Sequence, residues 1–234
     1  MSTRVLVPSG VLGLGFEAEA LARGIAARPD VICIDGGSTD SGPFYLGTGT
    51  SKYARASTVA EWRELMRARA EAGVPLVIGS CGTCGTDASV EWMLDITREL
   101  AHERGERLKV ATLYSSQSTG VVQAALARGA VTPLTPAPDI CAQRLASCTN
   151  IVALAGAEQL GAALRTGADI VLAGRATDTA GVCALPLLRG EHDGAAWHGA
   201  KVVECGALCS THPTSGVVMV DIDRGGFTVE ALGG

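Results

Sequence analysis

The side chains able to do chemistry in this sequence gather in four short stretches: Asp35-Gly36-Gly37-Ser38-Thr39-Asp40, Gly79-Ser80 running on to Asp87, Gly174-Arg175-Ala176-Thr177-Asp178, and Trp197-His198 running on to Glu204. Glycine at such points permits positive φ and lets backbone N–H groups come close to a ligand. Arginine offers a planar fork that grips a carboxylate or phosphate through two parallel bonds. The pattern therefore predicts an anion held by Arg175 and by the loops at Gly36, Gly37, Ser38, Thr39, Gly79, Ser80 and Gly174, with Asp35 and Asp87 lining the same place. His198, Glu204, Asp178 and Asp40 are the candidate acids and bases, suited to proton abstraction, hydration or elimination. A plainer reading stands beside this one. Asp87 and Asp178 also fit helix N-caps, and His198 fits a surface histidine at a strand entry.

Other signals carry less. Cys81-Gly-Thr-Cys84 has redox spacing ahead of a helix, yet lies embedded among glycines, and loop packing is the favoured reading. Cys205, Cys209 and His212 match no closed zinc site, and the remaining cysteines read as small core residues. Gly10-Val-Leu-Gly-Leu-Gly15 departs from the dinucleotide fingerprint, and no Walker lysine is present. A metal-dependent hydrolase would need Asp35, Asp40 and Asp87 to converge on one hard cation. The motifs identify neither a cofactor nor a resident metal.

Composition limits what can position these groups. The chain has 234 residues, 47% hydrophobic and 18% charged, with 30 glycines and a net charge of −5. That length folds on its own core, burying roughly 70% of the unfolded surface. The 19 basic residues are scattered, so no nucleic-acid footprint exists, and no apolar run approaches the roughly 20 residues of a membrane span. Without a secretory leader the expected setting is cytoplasmic, and the eight cysteines are expected to be thiols.

β-branched apolar runs alternate with loops and amphipathic stretches. Strands are expected at Arg4 to Val7, Val31 to Ile34, Leu76 to Ile78, Lys109 to Tyr114, Ile151 to Leu154 and Asp169 to Ala173, and a further one ending at Glu204 and Cys205. Helices are expected near Phe16 to Ala27, Thr58 to Ala72, from Asp87 to about Arg104, up to Arg128, and over Ala157 to Thr166. Strands apolar on both faces imply an α/β fold: a mostly parallel sheet flanked by helices on both faces, Rossmann-like or flavodoxin-like in layering. Val217 to Ile222 and Gly226 to Val229, around Asp223-Arg-Gly225, predict a C-terminal antiparallel hairpin. Residues 1–234 read as one domain, with a candidate hinge at 132–139. Ligands of such sheets bind beyond the carboxyl ends of the strands.

Three ordered motifs, Asp35-Gly-Gly-Ser-Thr-Asp-Ser-Gly-Pro-Phe-Tyr-Leu-Gly47, Gly174-Arg-Ala-Thr-Asp-Thr-Ala180 and Trp197-His-Gly-Ala-Lys-Val-Val-Glu-Cys-Gly206, resemble the acyclic terpene utilisation family of AtuA type. The resemblance implies a catabolic role in breaking down acyclic terpenes and related branched acids by way of CoA thioesters. It points to a lyase or hydratase acting on a small-molecule carboxylate or acyl-CoA intermediate. The alternatives are a non-catalytic ligand-binding or accessory subunit and the metal-dependent hydrolase. The family's domain continues past the hairpin at which this chain stops, which implies a truncated form, a homo-oligomer or a second subunit completing the domain. The Cys81 and Cys84 loop is also richer in thiol than the family's Gly-Ser-Gly type.

Overall fold

A computed structural model describes residues 2–37, 41 and 43–233. Ser38, Thr39 and Asp40, three of the expected site residues, lie outside the described residues. The strands are β1 (Thr3–Val7), β2 (Val31–Asp35), β3 (Leu76–Gly79), β4 (Val110–Leu113), β5 (Ile170–Ala173), β6 (Val218–Ile222) and β7 (Phe227–Ala231). They form one sheet in the order β4-β5-β3-β2-β1-β6-β7. The first five run parallel, while β6 and β7 are antiparallel additions on the β1 side. This is the expected α/β architecture with its C-terminal hairpin.

Why both faces of the central strands are apolar is plain from the packing. Period-two alternation sends Val5, Cys33, Val77 and Val171 to one face and Leu6, Ile32, Ile78 and Leu172 to the other. The second of these faces is covered by α1 (Ala18–Ala26), α3 (Arg55–Ala72) and α4 (Asp87–Glu103), through large residues such as Trp62, Met66, Met93 and Leu100. Trp62, fully buried, gives its indole N–H to Thr97 Oγ1 at 2.9 Å, which satisfies its polar end. The opposite face is covered by α7 (Ala157–Arg165), α8 (Ala180–Leu188) and α9 (Asp193–Val203). Its contacts are mostly alanine: Ala157, Ala180, Ala184, Ala196 and Ala200.

Three expectations change here. The stretch Trp197 to Glu204 is not a strand but the body of α9, because Ala195, Ala196, Gly199, Ala200 and Val203 recur at helical spacing against the sheet, and the His192 side chain accepts from Ala195 N at the helix start. Ile151 to Leu154 makes only isolated bridging contacts, Val152 to Ser116, rather than a ladder strand. The long loop before α3 contains a short helix, α2 (Pro43–Thr48). Residues 132–139 lie exposed between α5 (Thr119–Ala127) and α6 (Ala142–Ala146).

Candidate active site

The sheet reverses its winding between β3 and β5. The chain leaves β3 toward α4 on one face and leaves β5 toward α8 on the other, and these strands are neighbours. Loops diverging from adjacent parallel strands leave a crevice at their carboxyl ends.

Asp35 ends β2 one position beyond Ile34, so alternation turns it to the alanine face. It stands in register with Gly79 of β3, where any larger side chain would take up space beside the carboxyl: a Cβ on Gly79 would lie 3.6 Å from Asp35 Oδ1. The β5–α8 loop crosses the end of β3 and brings Thr177 and Asp178 alongside. Asp35, Gly79, Thr177, Asp178 and Glu204 thus line one narrow cleft, walled by Val7, Ile34 and Val182. Burial pushes the Asp35 carboxyl up to about 7, and the neighbouring Asp178 carboxylate adds to the rise. The Arg175 guanidinium and the amides of Gly36 and Gly37 hold it back. A carboxyl that titrates near neutrality is suited to both give and take a proton.

Arg175 is 5% exposed and ties loops together. Its Nη1 donates to Gly37 O at 2.9 Å and to Thr83 O at 3.0 Å, and its Nη2 pairs with Asp178 Oδ1 at 3.3 Å. Two of its three nitrogens are therefore engaged by the protein, which departs from the expected anion clamp: the side chain bonds back to the neighbouring loops. Asp178 is correspondingly no helix cap; the N-cap position of α8 is Thr179. Gly174 lies under the same brace, with its amide on Leu113 O at 2.7 Å.

The β3–α4 loop is bent into the crevice by positive φ at Ser80 (50°), Gly82 (60°), Thr83 (69°) and Gly85 (64°). Two of these are not glycine, a strained conformation held by Ser80 N on Gly174 O and Cys81 N on Ala173 O, each at 2.9 Å. Gly85 is required as glycine: a Cβ there would sit 2.4 Å from Arg175 N. Cys81 and Cys84 are buried thiols, and burial pushes Cys81 well above the ordinary thiol range, so Cys81 is no ready thiolate.

Two expected residues stand elsewhere. Asp87 is the first residue of α4, capped by Thr86, and its Oδ1 accepts the amides of Ser115 and Ser116 at 3.0 and 2.8 Å. It ties the β4 loop down rather than lining the cleft. His198 faces the opposite edge: its ring meets Phe227 at 5.1 Å, Phe227 pairs with Ile222, and Ile222 pairs with Thr3 at the amino end of β1. The helical twist of α9 places it about a turn and a half before Glu204, so the two cannot share a substrate atom. Glu204, buried, remains in the cleft and pairs with Lys201.

Sequence reasoning missed Thr177 and Glu61. The Glu61 carboxylate of α3 accepts Gly13 N at 2.7 Å, and burial raises its pKa while the amides of Gly13 and Gly15 lower it. An internal carboxylate thus occupies the amides of the first glycine loop. Among the described residues no group of three or more His, Cys, Asp or Glu side chains is disposed to hold a metal ion.

Residues 46–228 match the model of the acyclic terpene utilisation family protein AtuA. The chain belongs to the AtuA family. The match includes Arg175 of the brace and Asp178 and Glu204 of the cleft, while β1, β2 and Asp35 precede it. Neither the curated proteins nor the solved structures give a match to this AtuA-family chain. No helix among its described residues is long and apolar enough to cross a membrane.

Proposed function

We propose that this AtuA-family chain is a cytoplasmic catabolic enzyme, a lyase or hydratase that moves a proton on a branched carboxylate or acyl-CoA intermediate. The observation that carries the reading is the buried Asp35 carboxyl, raised to about 7 and set beside Asp178 in a cleft at the carboxyl edge of the sheet. Asp35 is the acid and base. The Asp178 carboxylate beside Asp35 favours its proton uptake, and Glu204 lines the same cleft. Arg175 acts as a positioning residue that fixes Asp178 and the Gly37 and Thr83 carbonyls. The test is exchange and turnover: the purified chain is incubated in D2O with a panel of branched acyl thioesters and free acids, and deuterium uptake and hydration are followed by mass spectrometry. Asp35→Asn should abolish both. Equal uptake by wild type and Asp35→Asn would overturn the assignment.

A ligand-binding or accessory subunit is the second reading, favoured by α5. That helix, Thr119–Ala127, has an apolar composition and no buried residue, and Val121 is 58% exposed. A chain that is inactive alone and gains turnover only with a co-purifying partner would favour this second reading.

A further inference from the structure

Thr177 carries an unexplained hydroxyl. Its Oγ1 is buried without a hydrogen-bond partner among the described residues, and Thr177 lines the same cleft as Asp35 and Asp178. The backbone around it has little freedom to find a partner elsewhere: Thr177 N donates to Ala155 O at 3.0 Å, Ala155 N donates to Arg175 O at 2.9 Å, and Ala155 bridges Ala176 in parallel. A buried hydroxyl left unsatisfied loses its hydration without replacement, so such a group is retained where something hydrogen-bonds to it. The cleft narrows here between Val7, Ile34 and Val182, and the room inside is about that of one water molecule. A buried water needs two to four polar partners, and Thr177 with the carboxyls of Asp35 and Asp178 supplies them.

We infer that the Thr177 hydroxyl and the Asp35 carboxylate hold a single water molecule, the one added or removed in the reaction. This inference rests on the lyase or hydratase reading above and names the reactant of that same site. The substrate class is then an α,β-unsaturated acyl group. In the hydration direction an O–H bond of the water breaks and its proton passes to ionised Asp35. The oxygen bonds to the β-carbon, and the π pair moves to the α-carbon. Asp35 returns its proton there, so one water is added and the carboxylate is regenerated. The reverse sequence expels water. Thr177 orients the oxygen by accepting or donating one hydrogen bond.

The test is diffraction on crystals of the full chain, wild type beside Thr177→Ser and Thr177→Val, with no substrate present. Wild type and Thr177→Ser should show a density peak about 3 Å from both the residue-177 hydroxyl and an Asp35 carboxyl oxygen, and Thr177→Val should lack it. If Thr177→Val does not fold, the wild-type map decides alone: no peak, or a Thr177 hydroxyl bonded to another protein group, overturns the inference. A peak that persists unchanged in Thr177→Val overturns it as well. The outcome is separable from that of the functional reading, because the peak is read without turnover. Should wild type hold the water yet exchange no proton on any acyl thioester, the site stands and the lyase reading falls. Should it hydrate an unsaturated thioester with no peak at Thr177, the reading stands and this site falls.

Discussion

Replacing Asp35 by asparagine tests the electrostatics of the cleft directly, because the two side chains have the same shape and differ in ionisation. Burial raises the folded-state carboxyl from 3.8 to about 7, so the folded chain holds the proton that the unfolded chain has released. Each tenfold difference in proton affinity is about 1.4 kcal/mol, so ionising Asp35 in the folded chain costs about 4 kcal/mol. The stability this group contributes is complete below its unfolded value, is lost as pH climbs toward 7, and is gone above it. The asparagine variant has no such loss, and its side-chain carbonyl can still accept the Gly36 and Gly37 amides. The stability of Asp35→Asn relative to wild type should therefore grow by about 3 kcal/mol between about pH 5 and about pH 8.5, most of it below pH 7. Urea denaturation of both chains across that range measures the difference, and other titrating groups cancel in it. A difference independent of pH would refute the claim that Asp35 is a buried, pH-sensitive carboxyl, and with it the acid and base role.

Arg175→Lys should preserve the fold but lower stability by about 2 kcal/mol, because lysine cannot reach the Gly37 and Thr83 carbonyls and Asp178 together; a thermal melt matching wild type would show that the brace is dispensable. Gly85→Ala should cost about 3 kcal/mol or more, since its Cβ would meet Arg175 N at 2.4 Å, whereas Gly105→Ala, with similar φ and open space, should cost about 1–2 kcal/mol; equal losses in chemical denaturation would count against the close packing of the two loops. Native alkylation should modify Cys141, Cys148, Cys205 and Cys209 and spare Cys33, Cys81, Cys84 and Cys183, as read by peptide mass spectrometry, and a reductant should leave the melting temperature unchanged. Rapid labelling of Cys81 would contradict its burial.

The layering was legible because the central strands are nearly continuous apolar runs, Val31 to Ile34, Leu76 to Ile78 and Ile170 to Ala173, which leaves a two-sided parallel sheet as their reading. Asp35 and the Gly174 to Asp178 loop were legible because glycine and carboxylate together follow a strand. α9 was not. Its run Lys201-Val-Val-Glu204 has strand-like residues, and only the alanines upstream, too small to register as a hydrophobic stripe, reveal the helical period. His198 went astray with it, since a strand would have carried it toward the carboxyl edge and a helix leaves it at the other end. Arg175 was singled out by its place just after β5, but its partners include carbonyl oxygens of distant loops, which no spacing in the chain encodes. Thr177 lacked any local signal, because what marks it is a buried hydroxyl without a partner among the described residues, which only the fold reveals.

The unequal upholstery of the two sheet faces has a mechanical consequence. Where Trp62, Met66, Met93 and Leu100 interdigitate with the strands, a helix can shift only by forcing large side chains out of their sockets. Where Ala180, Ala184, Ala196 and Ala200 meet the sheet, the surfaces are nearly smooth, and small sliding displacements meet little resistance. The cleft lies on that smooth side, between the sheet and the start of α8. Gly181 and Val182 of α8 form one wall of it, so a small shift of that helix would change the width at Asp35, while the large side chains on the opposite side hold the strands still.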